Sequence, residues 1–462
     1  MGEIGANRNP QCGIVQIQMN RPISFGEALR FWLKLGFISF GGPAGQIAIM
    51  HRELVEQKRW ISEKRFLHAL NYCMVLPGPE AQQLATYIGW LMHGTWGGIV
   101  AGGLFVLPSL FILIGLSWIY VGFGSVPVVA GLLYGIKPAV TAIVLFAAWR
   151  IGSRTMKSAP LIAIAIAAFA AIFFLNIPFP AIVLAAAIAG AAGGKWLPTQ
   201  FAVGGHGGAN VKETEALIDD HTPTPPHAIF KWSRFASRLA IGLALWFAAM
   251  ALLASHSGID GTLAQMGWFF TKAALLTFGG AYAVLPYVYQ GAVEGFQWLT
   301  PTQMIDGLAL GETTPGPLIM VVAFVGYVGG VTKTVLGPDA LFLGGALAAF
   351  VVTYFTFLPS FLFIFLGGPI IESTHGQLKF TAPLTGITAA VVGVIVNLGL
   401  FFAWKVWWPH ATSAAPFSGV FEWFSMGLTM IAALALMRNI AGVIPIIIAC
   451  GMAGVAKTLL GY

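Results

Sequence analysis

The chain consists of two copies of one sequence unit. The tripeptide Phe40-Gly41-Gly42 returns as Phe278-Gly279-Gly280, and Pro77-Gly78-Pro79 returns as Pro315-Gly316-Pro317. Both returns lie 238 positions farther along the chain, the difference between 278 and 40 and between 315 and 77. Glycine relaxes the backbone, and proline removes a hydrogen bond that a continuous helix needs. Each copy is therefore predicted to contain two interrupted helices, at matching places.

A third motif defines the extent of the copies. Leu107-Pro108-Ser109-Leu110 returns as Leu358-Pro359-Ser360-Phe361 after 251 positions, so the second copy carries 13 additional residues ahead of it (251 less 238). We predict a first repeat at residues 24–200 and a second at 259–462. Residues 201–258 between them contain a polar linker and an apolar run that has no partner in the first copy.

The composition is that of a membrane protein. Of the 462 residues, 57% are hydrophobic and only 9% are charged, whereas soluble proteins carry about 25% charged residues. A helix needs about 20 apolar residues to cross a bilayer core of roughly 30 Å. Such runs lie near 28–50, 66–93, 97–121, 126–149, 160–175 and 177–194, near 264–288, 301–330, 338–367, 380–404, 418–437 and 440–460, and near 239–254. They predict an all-α polytopic membrane protein with about six segments per repeat and about 13 spans.

Charge and cysteine usage disfavour several functional classes. The formal charge of +7 lies in loops, where Lys and Arg are expected to mark the cytoplasmic side rather than to bind nucleic acid. Cys12, Cys73 and Cys450 are far apart and form no CxxC or Cys/His pair, so neither a disulfide framework nor a zinc site is predicted. Neither HExxH nor GxSxG occurs, which disfavours an intramembrane enzyme. No cofactor is expected.

Two observations favour opposite orientations of the two copies. The unpaired run near 239–254 makes the number of spans between equivalent segments odd. The loop 51–65 has five Lys and Arg residues and the matching loop 289–303 has none, so the first is expected in the cytoplasm and the second outside. We therefore predict two inverted repeats with broken helices, a pattern typical of secondary transporters. The alternative is a parallel duplication whose loop charges have diverged.

The interruptions themselves can supply an anion site. Pro79 and Pro317 suit the first position of a new helix, so the N–H groups of residues 80–82 and 318–320 are predicted to lack helical acceptors. Together with the helix dipole, such groups bind anions without a charged side chain. Gly42-Pro43 can open a comparable half-helix. The alternative is that all of these breaks are kinks that ease helix packing.

Ionisable and polar side chains inside the apolar runs are further candidates for an anion path. Lys34 and Lys272 hold equivalent positions ahead of the two Phe-Gly-Gly motifs, although either amine could instead reach the headgroups from a helix end. Lys137 is a third candidate cation, and Thr388 is its counterpart in the second copy. The candidate donors and proton carriers are Ser39, Thr277, Gln82, Gln83, Glu80 and Glu312. A desolvated carboxyl group could carry a coupled proton, or an acid in a first turn could simply stabilise the helix dipole.

These motifs resemble those of a known family. Phe40-Gly41-Gly42-Pro43, Leu76-Pro77-Gly78-Pro79, the basic loop around Trp60 and their second-copy echoes are similar to the chromate ion transporter (CHR) family, in its long-chain, two-domain form. The resemblance covers nearly the whole chain. It implies a multi-pass protein of the bacterial inner membrane that exports chromate and confers chromate resistance. It also implies that the motif residues line the path, namely Phe40 to Pro43, Pro77 to Pro79, Gly279, Gly280 and Pro315 to Pro317; at Ala281 the second copy lacks the proline.

The residues leave selectivity and coupling open. Chromate is a tetrahedral dianion like sulfate, so a carrier of sulfate or another oxyanion stays an alternative, as does an anion channel. Proton exchange would make the protein an antiporter and would add to the drive from the membrane potential. The expected contacts are the oxyanion and membrane lipid, and a homodimer is one open arrangement. We expect the anion to bind near the midplane while one repeat rocks against the other.

Overall fold

The computed structural model describes residues 23–40, 42–201, 216–219, 222–278, 280–374, 381–411 and 415–461. Two of the predicted site residues, Gly41 and Gly279, lie outside these ranges. The described elements are helices, with one isolated bridge between Ile61 and Ile218. This agrees with the all-α class predicted from the composition.

The first copy contains α1 (Phe25–Ile38), α2 (Gly42–His51), a π-helix (Arg52–Gln57), α3 (Glu63–Val75), α4 (Glu80–Phe123), α5 (Pro127–Thr155), α6 (Ala159–Leu175), α7 (Phe179–Trp196) and the short α8 (Pro198–Phe201). The linking helix is α9 (Trp232–Ser257). The second copy contains α10 (Thr262–Leu276), α11 (Ala281–Tyr289), a π-helix (Gln290–Gly295), α12 (Pro301–Thr313), a 3₁₀ turn (Leu318–Met320), α13 (Val321–Thr332), a second 3₁₀ turn (Pro338–Ala340), α14 (Leu341–Thr374), α15 (Thr381–Trp407), α16 (Trp423–Met437) and α17 (Val443–Leu459).

The duplication extends to local irregularities of the backbone. The two π-helices begin 238 positions apart, at Arg52 and Gln290. Two residues after each of them, the chain adopts a left-handed conformation, with φ of 52° at Arg59 and 53° at Gln297. A single-turn π-helix is a rare feature in an α-helical chain. Its recurrence at the same offset shows that the two copies share their backbone geometry as well as their motifs.

Helix α4 is two antiparallel helices. His93 and Gly94 leave the helical conformation, and Gly94 has φ of 65°. A side-chain carbon placed on Gly102 would lie 2.8 Å from Gln82 Nε2, so residues 80–92 (α4a) fold back against residues 95–123 (α4b). In the second copy, α13 and α14 fold back in the same way, because a carbon placed on Gly330 would lie 2.6 Å from Ala348 Cβ.

The first interrupted segment of each copy folds back as well. Lys34 Nζ and Glu53 Oε1, on either side of the break, are 3.3 Å apart, whereas 19 residues of continuous helix would span roughly 28 Å. In the second copy, the rings of Phe269 and Tyr287 stack with centroids 4.8 Å apart. Helices α1 and α2 therefore form one hairpin, and α10 and α11 form its counterpart.

The Pro-Gly-Pro segments are the tips of a second pair of hairpins. Arg65 Nη1 lies 2.9 Å from Glu372 Oε2, and the Tyr87 hydroxyl donates to the other oxygen of the same carboxylate. Residues 65 and 87 thus meet at one group, although 22 residues of helix would span about 33 Å. In α12 and α13, a carbon placed on Gly311 would lie 3.3 Å from Val321 Cβ. Each pair folds back at its Pro-Gly-Pro.

The predicted runs 28–50, 66–93, 264–288 and 301–330 are therefore interrupted where the motifs indicated, but the count of about 13 spans had taken each of them as one crossing. Each is a helical hairpin with its motif at the tip. Among the described residues, six helices are long and apolar enough to cross a membrane, and four shorter apolar helices accompany them. One of the six is α4, in which only α4b continues past the turn at Gly94.

Equivalent long helices of the two copies pack antiparallel. Along α4b and α14, the rings of Phe111 and Phe350 are 5.8 Å apart and those of Trp118 and Phe342 are 6.0 Å apart. Residue numbers therefore rise along α4b where they fall along α14, which makes the two helices antiparallel. The same holds for α5 and α15, where a carbon placed on Gly399 would lie 2.6 Å from Leu145 and one placed on Gly152 would lie 3.2 Å from Val392.

Candidate functional site: a junction of four hairpin tips

The four hairpin tips meet in a reciprocal arrangement. The N–H of Gly78 donates to the carbonyl of Thr277 at 2.7 Å, and the N–H of Gly316 donates to the carbonyl of Ser39 at 2.8 Å. Gly78 and Gly316 are equivalent in the repeat, as are Ser39 and Thr277. The Pro-Gly-Pro tip of each copy is therefore bound to the Phe-Gly-Gly tip of the other.

The composition of Pro-Gly-Pro explains this contact. Its two prolines have no N–H, so each triplet has a single backbone donor, and that donor makes the bond between the copies. The glycines have φ of 124° at Gly78 and 101° at Gly316, a region that side-chain-bearing residues rarely adopt. A glycine is thus required both for the turn and for the close approach of the other copy.

The half-helices begin one residue later than predicted. Pro79 is the N-cap of α4a rather than its first residue, and Gln83 N–H is bonded to its carbonyl at 3.0 Å. The N–H groups of residues 80–82 accordingly have no acceptor within the helix. Pro317 caps the 3₁₀ turn. The third N–H of that turn, on Met320, donates to the Pro317 carbonyl at 2.9 Å. In the second copy the donors without a helical acceptor are those of 318 and 319.

The tips of the first hairpins begin new helices in both copies. Gly42 and Gly280 have φ of 68° and 98°, and α2 and α11 begin at or directly after them. Pro43 lies in the first turn of α2, and Ala281 takes its place in α11 without preventing the helix. Phe40 and Phe278 lie beside these tips, partly buried, as the residues that precede the glycines.

The predicted hydroxyl and amide donors at the tips are bonded to the chain itself. Ser39 and Thr277 are buried, and their hydroxyls donate to Leu35 and Ala273 carbonyls at 2.6 and 2.7 Å. The other bonds of this kind join Gln82 Nε2 to Thr86 Oγ1 (3.0 Å), Gln83 Nε2 to the Pro77 carbonyl (2.8 Å) and Gln46 Nε2 to the Gly316 carbonyl (2.5 Å). Gln46 had not been identified from the sequence. These bonds hold the tips in shape.

Two serines beside the tips, in contrast, have hydroxyls with no partner. Ser109 and Ser360 are 0% and 1% exposed, and within the described part of the chain their Oγ atoms form no hydrogen bond. A carbon placed on Gly78 would lie 2.5 Å from Ser360 Oγ, and one placed on Gly316 would lie 3.3 Å from Ser109 Oγ. A buried hydroxyl without a partner is uncommon and calls for an explanation. Ser360 therefore lies at the contact of Gly78 with the other copy, and Ser109 lies at the contact of Gly316.

The serines are the functional candidates that sequence reasoning missed. They belong to the repeated Leu-Pro-Ser motif, so the signal that could have identified them was present. Their equivalence now has a structural meaning, because each lies against the Pro-Gly-Pro glycine of the opposite copy. Each contact between the copies thus brings together the half-helix start of one copy and a serine hydroxyl of the other. Such groups donate hydrogen bonds to an anion.

Carboxyl groups lie beside this junction in both copies but at different places. Glu312 is buried just before its Pro-Gly-Pro and accepts a hydrogen bond from the Tyr282 hydroxyl. Glu80 is partly buried in the first turn of α4a. In the repeat, Met74 is the counterpart of Glu312, and Leu318 is the counterpart of Glu80. The two halves of the junction therefore differ in where they place a carboxyl group.

The three candidate lysines lie away from the tip contacts. The Lys34 side chain is 58% exposed, pairs with Glu53 and lines a cavity of about 760 Å³ together with Arg30 and Lys58. Lys272 is exposed, with its amine 5.7 Å from the ring centroid of Trp268. Lys137 pairs with Asp306. Their roles in attracting an anion stay predictions. Within the described ranges, no cluster of His, Cys, Asp and Glu could hold a metal ion.

Comparison with known proteins identifies the family. The sequence profile described as "Chromate transporter" matches residues 26–191 and 264–455. A chromate transport protein of Pseudomonas aeruginosa is 32% identical over 445 residues, which cover 94% of this chain and 92% of that protein. The chain belongs to the chromate transporter family. The two matched segments coincide with the two structural copies and leave out the linker and α9.

Other members of the chromate transporter family show the same extent of similarity. A chromate transport protein of Cupriavidus metallidurans is 30% identical over 383 residues, covering 82% of each chain. A probable chromate transport protein of Synechococcus elongatus is 28% identical over 374 residues, covering 81% of this chain and 83% of its own. No solved structure matches the chain. Family membership makes it a transporter and not an enzyme.

Proposed function

We propose that this protein exports chromate across the bacterial inner membrane and so confers chromate resistance. The observation that carries the proposal is the junction of four tips, with the unpartnered hydroxyls of Ser109 and Ser360. Chromate is a tetrahedral dianion that accepts hydrogen bonds on every oxygen. At each tip contact, helix N–H groups of one copy and a serine hydroxyl of the other match an ion of that shape without a permanent positive charge, so the ion can both bind and leave.

The membrane arrangement is proposed as two inverted repeats, with nine spans and four re-entrant hairpins. The antiparallel packing of α4b on α14 supports it, because equivalent spanning helices of a parallel duplication would run in the same direction. The linker also supports it: Ile218 N–H donates to Trp60 O at 3.1 Å, and Ser62 N–H donates to Ile218 O at 2.9 Å. The linker thus shares a side with the basic loop, which the positive-inside rule assigns to the cytoplasm.

Transport is proposed to occur as the two copies rock about the tip junction. The hairpins would then approach the junction from opposite faces, and each face would open in turn. The membrane potential favours outward movement of an anion by about 2.3 kcal/mol per charge per 100 mV. Glu80 and Glu312, beside the tips, are the proposed proton carriers of an antiport mechanism. The cavity at Lys34 is proposed to raise the local concentration of anions.

The proposed activity is tested by chromium uptake into inside-out vesicles, with a potential and a pH gradient imposed separately. We expect the uptake of labelled chromate to rise with an inside-positive potential. Unlabelled chromate should inhibit it. Sulfate competition at equal concentration would reveal a general oxyanion carrier. Uptake that follows only the electrochemical gradient of chromate, with no further drive from an imposed pH gradient, would reveal a channel. Vesicles that take up no more chromium than protein-free controls would overturn the proposal.

The inverted arrangement is tested at a matched pair of exposed residues. Glu56 and Glu294 occupy the same position in the two copies and are both exposed. In a chain without its native cysteines, we expect a membrane-impermeant thiol reagent added to whole cells to label Glu294→Cys but not Glu56→Cys. Lysed cells, in which both should react, provide the control. Labelling of both variants, or of neither, in intact cells would contradict the arrangement.

A further inference from the structure

A second cavity lies between the two copies, away from the tip junction. It has a volume of about 430 Å³ and is lined by Tyr120 and Lys137 of the first copy and by Gln303 and Asp306 of the second. Lys137 Nζ is 3.6 Å from Asp306 Oδ1, and the Tyr120 hydroxyl donates to Asp306 Oδ2 at 2.9 Å. The carboxylate side chain is 4% exposed and the lysine side chain 24%. The amine is therefore the more accessible partner.

The contact between Lys137 and Asp306 is incomplete. The distance of 3.6 Å between Lys137 Nζ and Asp306 Oδ1 is longer than a charge-assisted hydrogen bond. A buried carboxylate with so loose a cation is costly to keep ionised. The lysine, for its part, can still donate to another acceptor in the cavity.

The opposite end of the molecule provides a contrast. There Arg65 binds Glu372 directly at 2.9 Å, with side chains 15% and 1% exposed. In the repeat, Gln303 is the counterpart of Arg65, and Val121, which also lines the cavity, is the counterpart of Glu372. A closed ion pair between the copies at one end thus corresponds to an open cavity with an amine at the other.

We propose that this cavity is a second binding site for a tetrahedral oxyanion, held by the amine of Lys137 and the amide of Gln303. The oxyanion replaces Asp306 as the partner of Lys137, and Asp306 takes up a proton from water as it loses the amine. This inference rests on the proposed function. By reciprocity, uptake of the proton and binding of the oxyanion favour each other.

The groups around Asp306 make this linkage specific. Lys137 on α5 and Tyr120 on α4b contact it, and α13 faces the cavity with Val328, Val331 and Thr332. On α17, which also packs against α12, Lys457 is bound by Tyr134 and Glu422 instead. Glu312, on the same helix as Asp306, bonds to Tyr282. Asp306 is therefore the carboxyl group expected to titrate with oxyanion binding here.

The test is calorimetric titration of the purified full chain with chromate at pH 6.5 and 8, in buffers of different ionisation enthalpy. We expect Asp306→Asn to tighten binding at this site about tenfold at pH 8 and to reduce the proton uptake by about one proton relative to the parent. Chromate itself takes up a proton near neutral pH, but it does so equally with both proteins. We expect Lys137→Gln to weaken the site at least tenfold and Lys137→Arg to preserve it.

Each outcome decides the proposal. If Asp306→Asn matches the parent in both affinity and proton uptake, or if Lys137→Gln binds as the parent does, the proposal is wrong. Size-exclusion profiles show whether Asp306→Asn folds; if it does not, the comparison of Lys137→Gln with Lys137→Arg decides. A parent that carries chromate across vesicles but shows no linkage to Asp306 would refute this site alone. A parent that carries none would refute the proposed function.

Discussion

Replacing Gly78 or Gly316 by alanine is expected to reduce chromate flux at least tenfold. Both glycines have positive φ, where a side-chain-bearing residue is strained by about 1–3 kcal/mol. An alanine carbon would also lie 2.5 Å from Ser360 Oγ at Gly78 and 2.8 Å from Ser109 Cβ at Gly316. The tip must shift to relieve these contacts. A change of about 1.4 kcal/mol in the barrier is tenfold in a rate, so strain of this size is enough to produce the expected loss of flux. The measurement is initial flux per reconstituted protein.

A matched control separates strain from position. Gly258 also has positive φ, 79°, but a carbon placed on it meets nothing within 4 Å, and it lies in the turn after α9. Gly258→Ala is expected to transport at nearly the parent rate despite comparable backbone strain. Equal losses at Gly258 and at the tips would mean that general destabilisation, rather than the junction, explains the effect. Parent-level flux in both tip variants would contradict the account.

The sequence allowed the two copies, their breaks and the asymmetry of their loops to be predicted, but not the fold of the broken segments. An apolar run such as 28–50 has the same length and composition whether its helix continues past Gly42 or turns back. Glycine permits both paths. The choice depends on contacts between distant residues, such as Lys34 with Glu53, and on the packing of Phe31 against Trp60.

The candidate site was predicted only in part, and the reason is similar. Proline and glycine at the tips follow from local backbone chemistry, which a sequence displays directly. Whether a serine hydroxyl has a partner depends on what the other copy places beside it, so only the repetition of Leu-Pro-Ser marked Ser109 and Ser360. The equivalence of Lys34 and Lys272 suggested a shared role at the path. In the structure each lies on an exposed helix face, a placement that sequence symmetry alone could not give, and their shared role stays a prediction.

The second large effect is expected for the double variant Ser109→Ala/Ser360→Ala. A hydrogen bond to a charged group contributes about 1.5–3 kcal/mol, so loss of each hydroxyl should weaken the binding of a dianion roughly tenfold or more. Neither hydroxyl has a protein partner among the described residues. Their removal should therefore leave thermal stability nearly unchanged, which distinguishes a role in binding from a role in packing.

Ser117 provides the matched control for this variant. It lies eight residues beyond Ser109 on α4b, is 0% exposed, and its Oγ likewise has no hydrogen-bond partner in the described part of the chain. It does not belong to the repeated motif, and Gly368 takes its place in the second copy. Ser117→Ala thus removes a buried hydroxyl from the same helix without altering the junction.

Chromium flux through proteoliposomes of the parent, the double serine variant and Ser117→Ala tests most directly whether the oxyanion crosses at the four tips. We expect at least a tenfold loss of flux in Ser109→Ala/Ser360→Ala, near-parent flux in Ser117→Ala, and similar melting temperatures for all three. Parent-level flux in the double serine variant would contradict a path through the junction.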